Sequence, residues 1–297
     1  MEQVLFDQGS KHALSYNYDC LLFDLDDTLY PYSSGIAAHC MKHIQEYMIH
    51  QLGIEESKVP DMCYKLYKYY GTTMSGLRAI GYELDYDHFH SLVHGKLPYD
   101  HLLKPDLALR NKLLSLPIQK VIFTNADKRH TSEVLKRLEL EDCFESIICF
   151  ETLNPTNIDG GDEMKASNDH SGIFDILEYQ PSSGVILPET PVVCKPFELA
   201  FEQAFKIAKI DPTRTLFFDD SVQNVSMGKS LGLRTVLVGK SEVVPRKAET
   251  SMSMSARHFN KSRWTLNNRE PGMLGHSHKI RSSQFMPSNL PSLCPHI

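Results

Sequence analysis

The chain has 297 residues, 41% of them hydrophobic and 23% charged, a composition typical of globular proteins and a length that fits one large domain or a domain with an inserted module. No window holds the ~18 uninterrupted apolar residues of a membrane span, so no membrane partner is expected. The net charge of −6 is uneven: residues 241–297 hold eight Lys/Arg against three Asp/Glu, and residues 1–240 hold 23 against 34. So acidic a body argues against nucleic acid as a partner, because phosphate backbones need a positive surface.

The chain starts Met1-Glu2-Gln3-Val4-Leu5-Phe6-Asp7, without the basic and then apolar stretches of a secretory signal. Seven cysteines are scattered with no Cys-x-x-Cys pair, which speaks against a disulfide framework or structural zinc and for a reducing compartment. A cytoplasmic location is expected, with nuclear entry left open.

The first apolar run is Cys20-Leu21-Leu22-Phe23. Val121-Ile122-Phe123, Ser146-Ile147-Ile148-Cys149-Phe150, Thr215-Leu216-Phe217-Phe218 and Thr235-Val236-Leu237-Val238 follow it. Short runs of nearly continuous apolarity suit parallel strands covered on both faces. Residues 131–140 and 197–210 space their apolar side chains at three and four, as amphipathic helices do. The alternation predicts an α/β fold with a doubly wound parallel sheet.

Two intervals break this rhythm. Residues 31–115 carry about three or four helical patterns and no strand, and the clearest helix spans 37–53. This reads as a helical module inserted after the first strand. The expected organisation is a core of residues 15–30 and 116–240 with a helical cap at 31–115. Residues 154–191, rich in Gly, Pro, Asn and Asp, are expected to form a flexible insert. Residues 241–297, with ten serines and no lasting period, are expected to form a disordered basic tail.

Asp24-Leu25-Asp26-Asp27-Thr28 leaves the first strand directly. If Leu25 turns into the core, Asp24 and Asp26 both face the crevice where parallel sheets bind ligands. Thr124-Asn125 ends the second strand, Lys195 precedes a helix, and Asp219-Asp220-Ser221 ends the fourth strand. Each could serve only as a helix cap or a surface group, yet the fold would gather all of them at one edge.

In this set, Asp24/Asp26/Thr28, Thr124, Lys195 and Asp219/Asp220, the chain resembles the haloacid dehalogenase superfamily of phosphohydrolases. The resemblance covers roughly residues 15–240. Tyr70-Gly71-Thr72-Thr73 with Gly76-Leu77, Leu97-Pro98 with Leu103-Lys104-Pro105-Asp106, Phe123-Thr124-Asn125-Ala126, and Phe218-Asp219-Asp220-Ser221 with Asn224 look like its fungal and plant pyrimidine 5'-nucleotidase branch. The resemblance implies a Rossmann-like fold and a small-molecule phosphate ester, a nucleotide, as substrate. It makes Asp24 the nucleophile, giving an aspartyl-phosphate, and Asp26 the general acid and base, with a pKa raised towards the working pH. Mg²⁺ would be held by the Asp24 carboxylate, the Asp26 backbone carbonyl and Asp219. Asp220 would ligate through water or orient the site, and Lys195 would offset negative charge. Thr124 and Asn125 would donate to phosphate oxygens, with Thr28 supporting the loop. Two other readings are a phosphatase for another small metabolite and a catalytically weak interaction protein. From about Ser241 the sequence no longer matches the family, which would leave apolar sheet surface exposed. The sequence gives no expectation for the oligomeric state.

His88, His90, His94 and His101 look like a metal cluster, but no acidic residue completes a zinc triad, so cap surface or packing is expected. Tyr64, Tyr67 and Tyr70 have helical spacing and suit a packed face. Asn224-Val225-Ser226 and Asn260-Lys261-Ser262 match a glycosylation pattern with no signal peptide.

Overall fold

The computed structural model describes residues 18–155 and 172–239. The expected tail and the centre of the 154–191 insert lie outside them. No helix among the described residues is long and apolar enough to cross a membrane.

Strand β1 (Cys20–Phe23) is followed by α1 (Ile36–His50), α2 (Val59–Tyr70), α3 (Thr73–Ala79), α4 (Tyr86–His94), α5 (Tyr99–Leu102) and α6 (Leu107–Ser115). Then come β2 (Gln119–Phe123), α7 (Lys128–Leu138), β3 (Ser146–Ile148), α8 (Phe150–Leu153), α9 (Glu198–Ala208), β4 (Thr215–Asp219), α10 (Val222–Ser230) and β5 (Arg234–Leu237). The five strands are parallel in the order β3-β2-β1-β4-β5. The fold is therefore the expected α/β Rossmann-like one, with its topological switch between β1 and β4. Of the residues that continue the third apolar run, Cys149 caps α8 and Phe150 begins it.

The alternating side chains of the strands feed two cores. Leu21, Phe23, Ile122 and Phe218 pack with α7 and the helices between β1 and β2, and the Phe23 and Phe218 rings stack at 4.7 Å. Cys20, Leu22, Val121, Phe123 and Phe217 pack with Ala200, Phe201 and Ala204 of α9. Burying a Phe ring of this kind contributes about 2–3 kcal/mol. β5 departs from the two-sided burial expected of it: as the edge strand it leaves Leu237 45% exposed.

Helix α1 buries Ile36, Cys40, Ile44 and Tyr47, which fall on one stripe of the helix. α2 and α3 form a close pair through Gly76, where an added Cβ would meet Leu66 at 2.7 Å. Residues 172–191 run irregularly against this pair. Phe174 N–H donates to Ile80 O, Tyr70 Oη to Pro188 O and Ser75 Oγ to Thr190 Oγ1.

Candidate functional site

Register brings the chemistry together. Phe23 lies opposite Ile122 on one side and Phe218 on the other, so Asp24, Thr124 and Asp219 emerge side by side at the carboxyl edge of the sheet. Leu25 is fully buried, so Asp24 and Asp26 both line one cleft with Thr124, Asn125, Lys195 and Asp220. Asp27 makes the turn with a positive φ of 55°, a conformation that Asp tolerates better than most residues.

Lys195 links the two strands. Its Nζ donates to Asp24 Oδ1 at 2.8 Å and to Asp219 Oδ2 at 2.7 Å. Only 1% of Lys195 is exposed. Burial works against its charge, but Asp219 and Asp24 outweigh it and raise its pKa. Asp24 is pushed up by burial and by the carboxylates of Asp219, Asp220 and Asp26, against the pull of Lys195. Thr28 Oγ1 donates to Asp24 Oδ2 at 3.1 Å. Asp219 Oδ1 accepts from Ser221 N–H at 2.8 Å and Asn224 Nδ2 at 3.0 Å.

Asn125 lines the cleft and also holds the lysine's backbone. Its Nδ2 donates to Lys195 O at 3.0 Å, and its Oδ1 accepts from Lys195 N–H at 2.8 Å. The amide thus fixes the Lys195 backbone, while Thr124 Oγ1 accepts from Ala126 N–H at 3.1 Å. On the other side, Gly71 has φ +80°, and an added Cβ would stand 2.2 Å from Lys195 O. Only glycine lets the backbone come so close.

Asp26 differs from its expected state. A raised pKa was expected, and here it is lowered: burial pushes it up, but the charge and hydrogen bond of His130 and the bond from Tyr30 prevail. His130 Nε2 is 2.7 Å and Tyr30 Oη 2.5 Å from Asp26 Oδ1. His130 is wholly buried, which disfavours its charge, yet Asp26 raises its pKa. Sequence reasoning missed His130 because only the fold brings α7 beneath the first loop; an apolar helix stripe interrupted by a histidine was the available signal.

The tyrosine stripe is also only partly a packed face. Tyr70 is buried, Tyr64 is 38% exposed and Tyr67 lines the cleft. His88 and His101 are exposed, whereas His90 and His94 are buried and meet Asp127. The acidic partner absent from sequence reasoning comes from the loop after β2.

Asp24, Asp219 and Asp220 can each offer an oxygen within 4.8 Å of the others, a set that could hold a metal ion. Three carboxylates beside one lysine leave an excess of negative charge in a buried place, and an all-oxygen donor set suits a hard divalent cation.

A family description, haloacid dehalogenase-like hydrolase, matches residues 18–232, and the chain belongs to that family. Phosphate metabolism protein 8 of Saccharomyces cerevisiae is 27% identical over 132 residues, 42% of this chain and 41% of that protein. The match thus spans about two fifths of that relative's length. Among solved structures, the HAD-hydrolase YfnB from Bacillus subtilis, bound to magnesium, aligns at 18% identity and TM-score 0.43, covering 74% of this chain and 88% of that one. β-Phosphoglucomutase from Clostridium difficile aligns at 14% identity and TM-score 0.44, covering 76% and 86%.

Proposed function

We propose that this hydrolase is a Mg²⁺-dependent phosphomonoesterase acting on pyrimidine nucleoside 5'-monophosphates. The observation that carries the phosphoryl chemistry is the Lys195 ammonium shared between Asp24 and Asp219 in one cleft. The pyrimidine assignment draws its support from the sequence resemblance around 70–77, 97–106 and 218–224. Gly71 lines the cleft from that first segment.

Asp24 is the nucleophile. Its carboxylate oxygen bonds to phosphorus as the bond from phosphorus to the nucleoside oxygen breaks, dividing one displacement into two. Lys195 offsets the repulsion between carboxylate and phosphate and holds Asp24 in place. Asp26 gives the departing oxygen its proton, supplied within the Asp26–His130 pair, and later takes one from the water that releases phosphate from Asp24. Asn125 serves by positioning Lys195, and Thr28 by positioning Asp24. The Asp24 carboxylate, the Asp26 carbonyl and Asp219 would hold Mg²⁺, with Asp220 beside them. When bound, the ion would supply positive charge to offset that of the phosphate.

The test is phosphate release by the purified chain with Mg²⁺ from UMP, CMP, AMP, GMP and several sugar phosphates. UMP and CMP are expected to lead, and Asp24→Asn to lower release at least about 10³-fold with the fold intact. Sugar phosphates outrunning every nucleotide would reject the pyrimidine assignment. No release from any substrate by a folded sample would reject the enzyme reading.

A further inference from the structure

Apart from the acidic cleft, one other group of side chains has the composition of a metal site among the described residues. His90 and His94 sit one turn apart on α4, so both rings fall on the same face of the helix. Asp127 faces them from the loop between β2 and α7. Its Oδ1 is used up as the cap of α7, accepting from Arg129 N–H at 2.9 Å and His130 N–H at 3.0 Å. That double bond to the helix end aims Oδ2 at the histidines. His94 Nδ1 is hydrogen-bonded to it, and His90 Nδ1 lies 3.5 Å away. One ligand atom from each of the three residues falls within 4.8 Å of the other two.

All three side chains are more than nine-tenths buried. Neither ring nitrogen of His90 has a hydrogen-bond partner, nor does Nε2 of His94. Buried polar nitrogens are costly when left unmade, and packing alone gives His90 no reason to be a histidine. Burial lowers the pKa of both rings, His94 to about 4, which favours the neutral imidazole that a metal requires.

We propose that His90, His94 and Asp127 form a second metal site, for a borderline transition ion of the zinc class, joining α4 to the core. Two imidazoles and one carboxylate suit Zn²⁺ or Co²⁺ and are a poor set for Mg²⁺, which keeps to oxygen. An entering ion replaces the His94–Asp127 hydrogen bond with bonds to both residues and engages His90, leaving at least one position for water. The site is distinct from the acidic cleft, and its ligands come from neither Asp24 nor Asp219.

The experiment uses the untagged full chain, stripped of metal by a chelator and then saturated with Mg²⁺. Cobalt(II) is titrated in, and its d–d absorption and bound stoichiometry are read. One equivalent with the intense absorption of a low-coordinate ion is expected, unchanged in Asp219→Asn and in His88→Gln, an exposed histidine of the same helix. His90→Gln and His94→Gln are each expected to weaken binding at least about tenfold. His90 has no hydrogen bond to lose, so His90→Gln decides the matter even if His94→Gln fails to fold. No cobalt uptake by the native chain overturns the proposal. So does uptake that survives His90→Gln and disappears in Asp219→Asn, which assigns the ion to the acidic cleft.

Discussion

His130 Nε2 lies 2.7 Å from Asp26 Oδ1, a contact between residues 104 apart in the chain. It places a buried imidazole from α7 under the loop that carries Asp24, with Tyr30 on the same carboxylate oxygen. Burial raises the Asp26 pKa, but His130 and then Tyr30 bring it below the ordinary carboxylate value. These partners favour the ionised form, so removing either raises Asp26. In the pH profile of phosphate release, the limb that reports Asp26 is expected to move to higher pH in Tyr30→Phe, and further in His130→Gln. A limb that stays in place in both variants would remove Asp26 from the proton-transfer step.

Lys195 depends on two residues that carry no charge. Asn125 clasps its backbone from one side, and Gly71 leaves room for its carbonyl on the other. Gly71→Ala puts a methyl group 2.2 Å from Lys195 O, on a backbone with φ +80°. The expected cost is about 2–4 kcal/mol from overpacking and strain. Asn125→Ala removes both bonds, for about 1–3 kcal/mol. Because ångström-scale displacement of a reacting group is costly, kcat is expected to fall about 10–100-fold in each variant. Thermal unfolding beside kinetics checks this, and unchanged kcat in a destabilised Asn125→Ala would make the clasp purely structural.

His94 gives the stability of the molecule a definite pH dependence. Burial and the nearby His130 charge lower its pKa to about 4, in spite of Asp127. In the unfolded chain it titrates near the ordinary value of about 6.5. Between these values the unfolded chain binds a proton that the folded one refuses. The contribution is present in full above about 6.5 and is lost as pH falls towards 4, for about 3 kcal/mol. Unfolding followed from pH 7 to 4 in the presence of a chelator is expected to show a shallower loss in His94→Gln than in the native chain. Parallel curves would mean that His94 enters the folded state already protonated.

The local part of the design is legible in the chain. Runs such as Cys20-Leu21-Leu22-Phe23 and Thr215-Leu216-Phe217-Phe218 have the length and apolarity of buried parallel strands, which they form. Polar groups at their ends then had to meet at one edge of the sheet, which is how Asp24, Thr124 and Asp219 could be named in advance. The same local signals carry nothing about distant partners. The bonds that tie Asn125 to the Lys195 backbone, 70 residues on, are invisible in them. His94 looked like packing, though its Asp127 partner lies 33 residues on. Neither pairing leaves a period or a spacing in the chain, because a hydrogen bond needs only two atoms brought together by the fold. Tertiary structure alone decided that His130 meets the Asp26 carboxylate and that His90 and His94 meet Asp127. Those choices set the charge on each group, since in a buried place the nearest partner outweighs the residue's ordinary pKa.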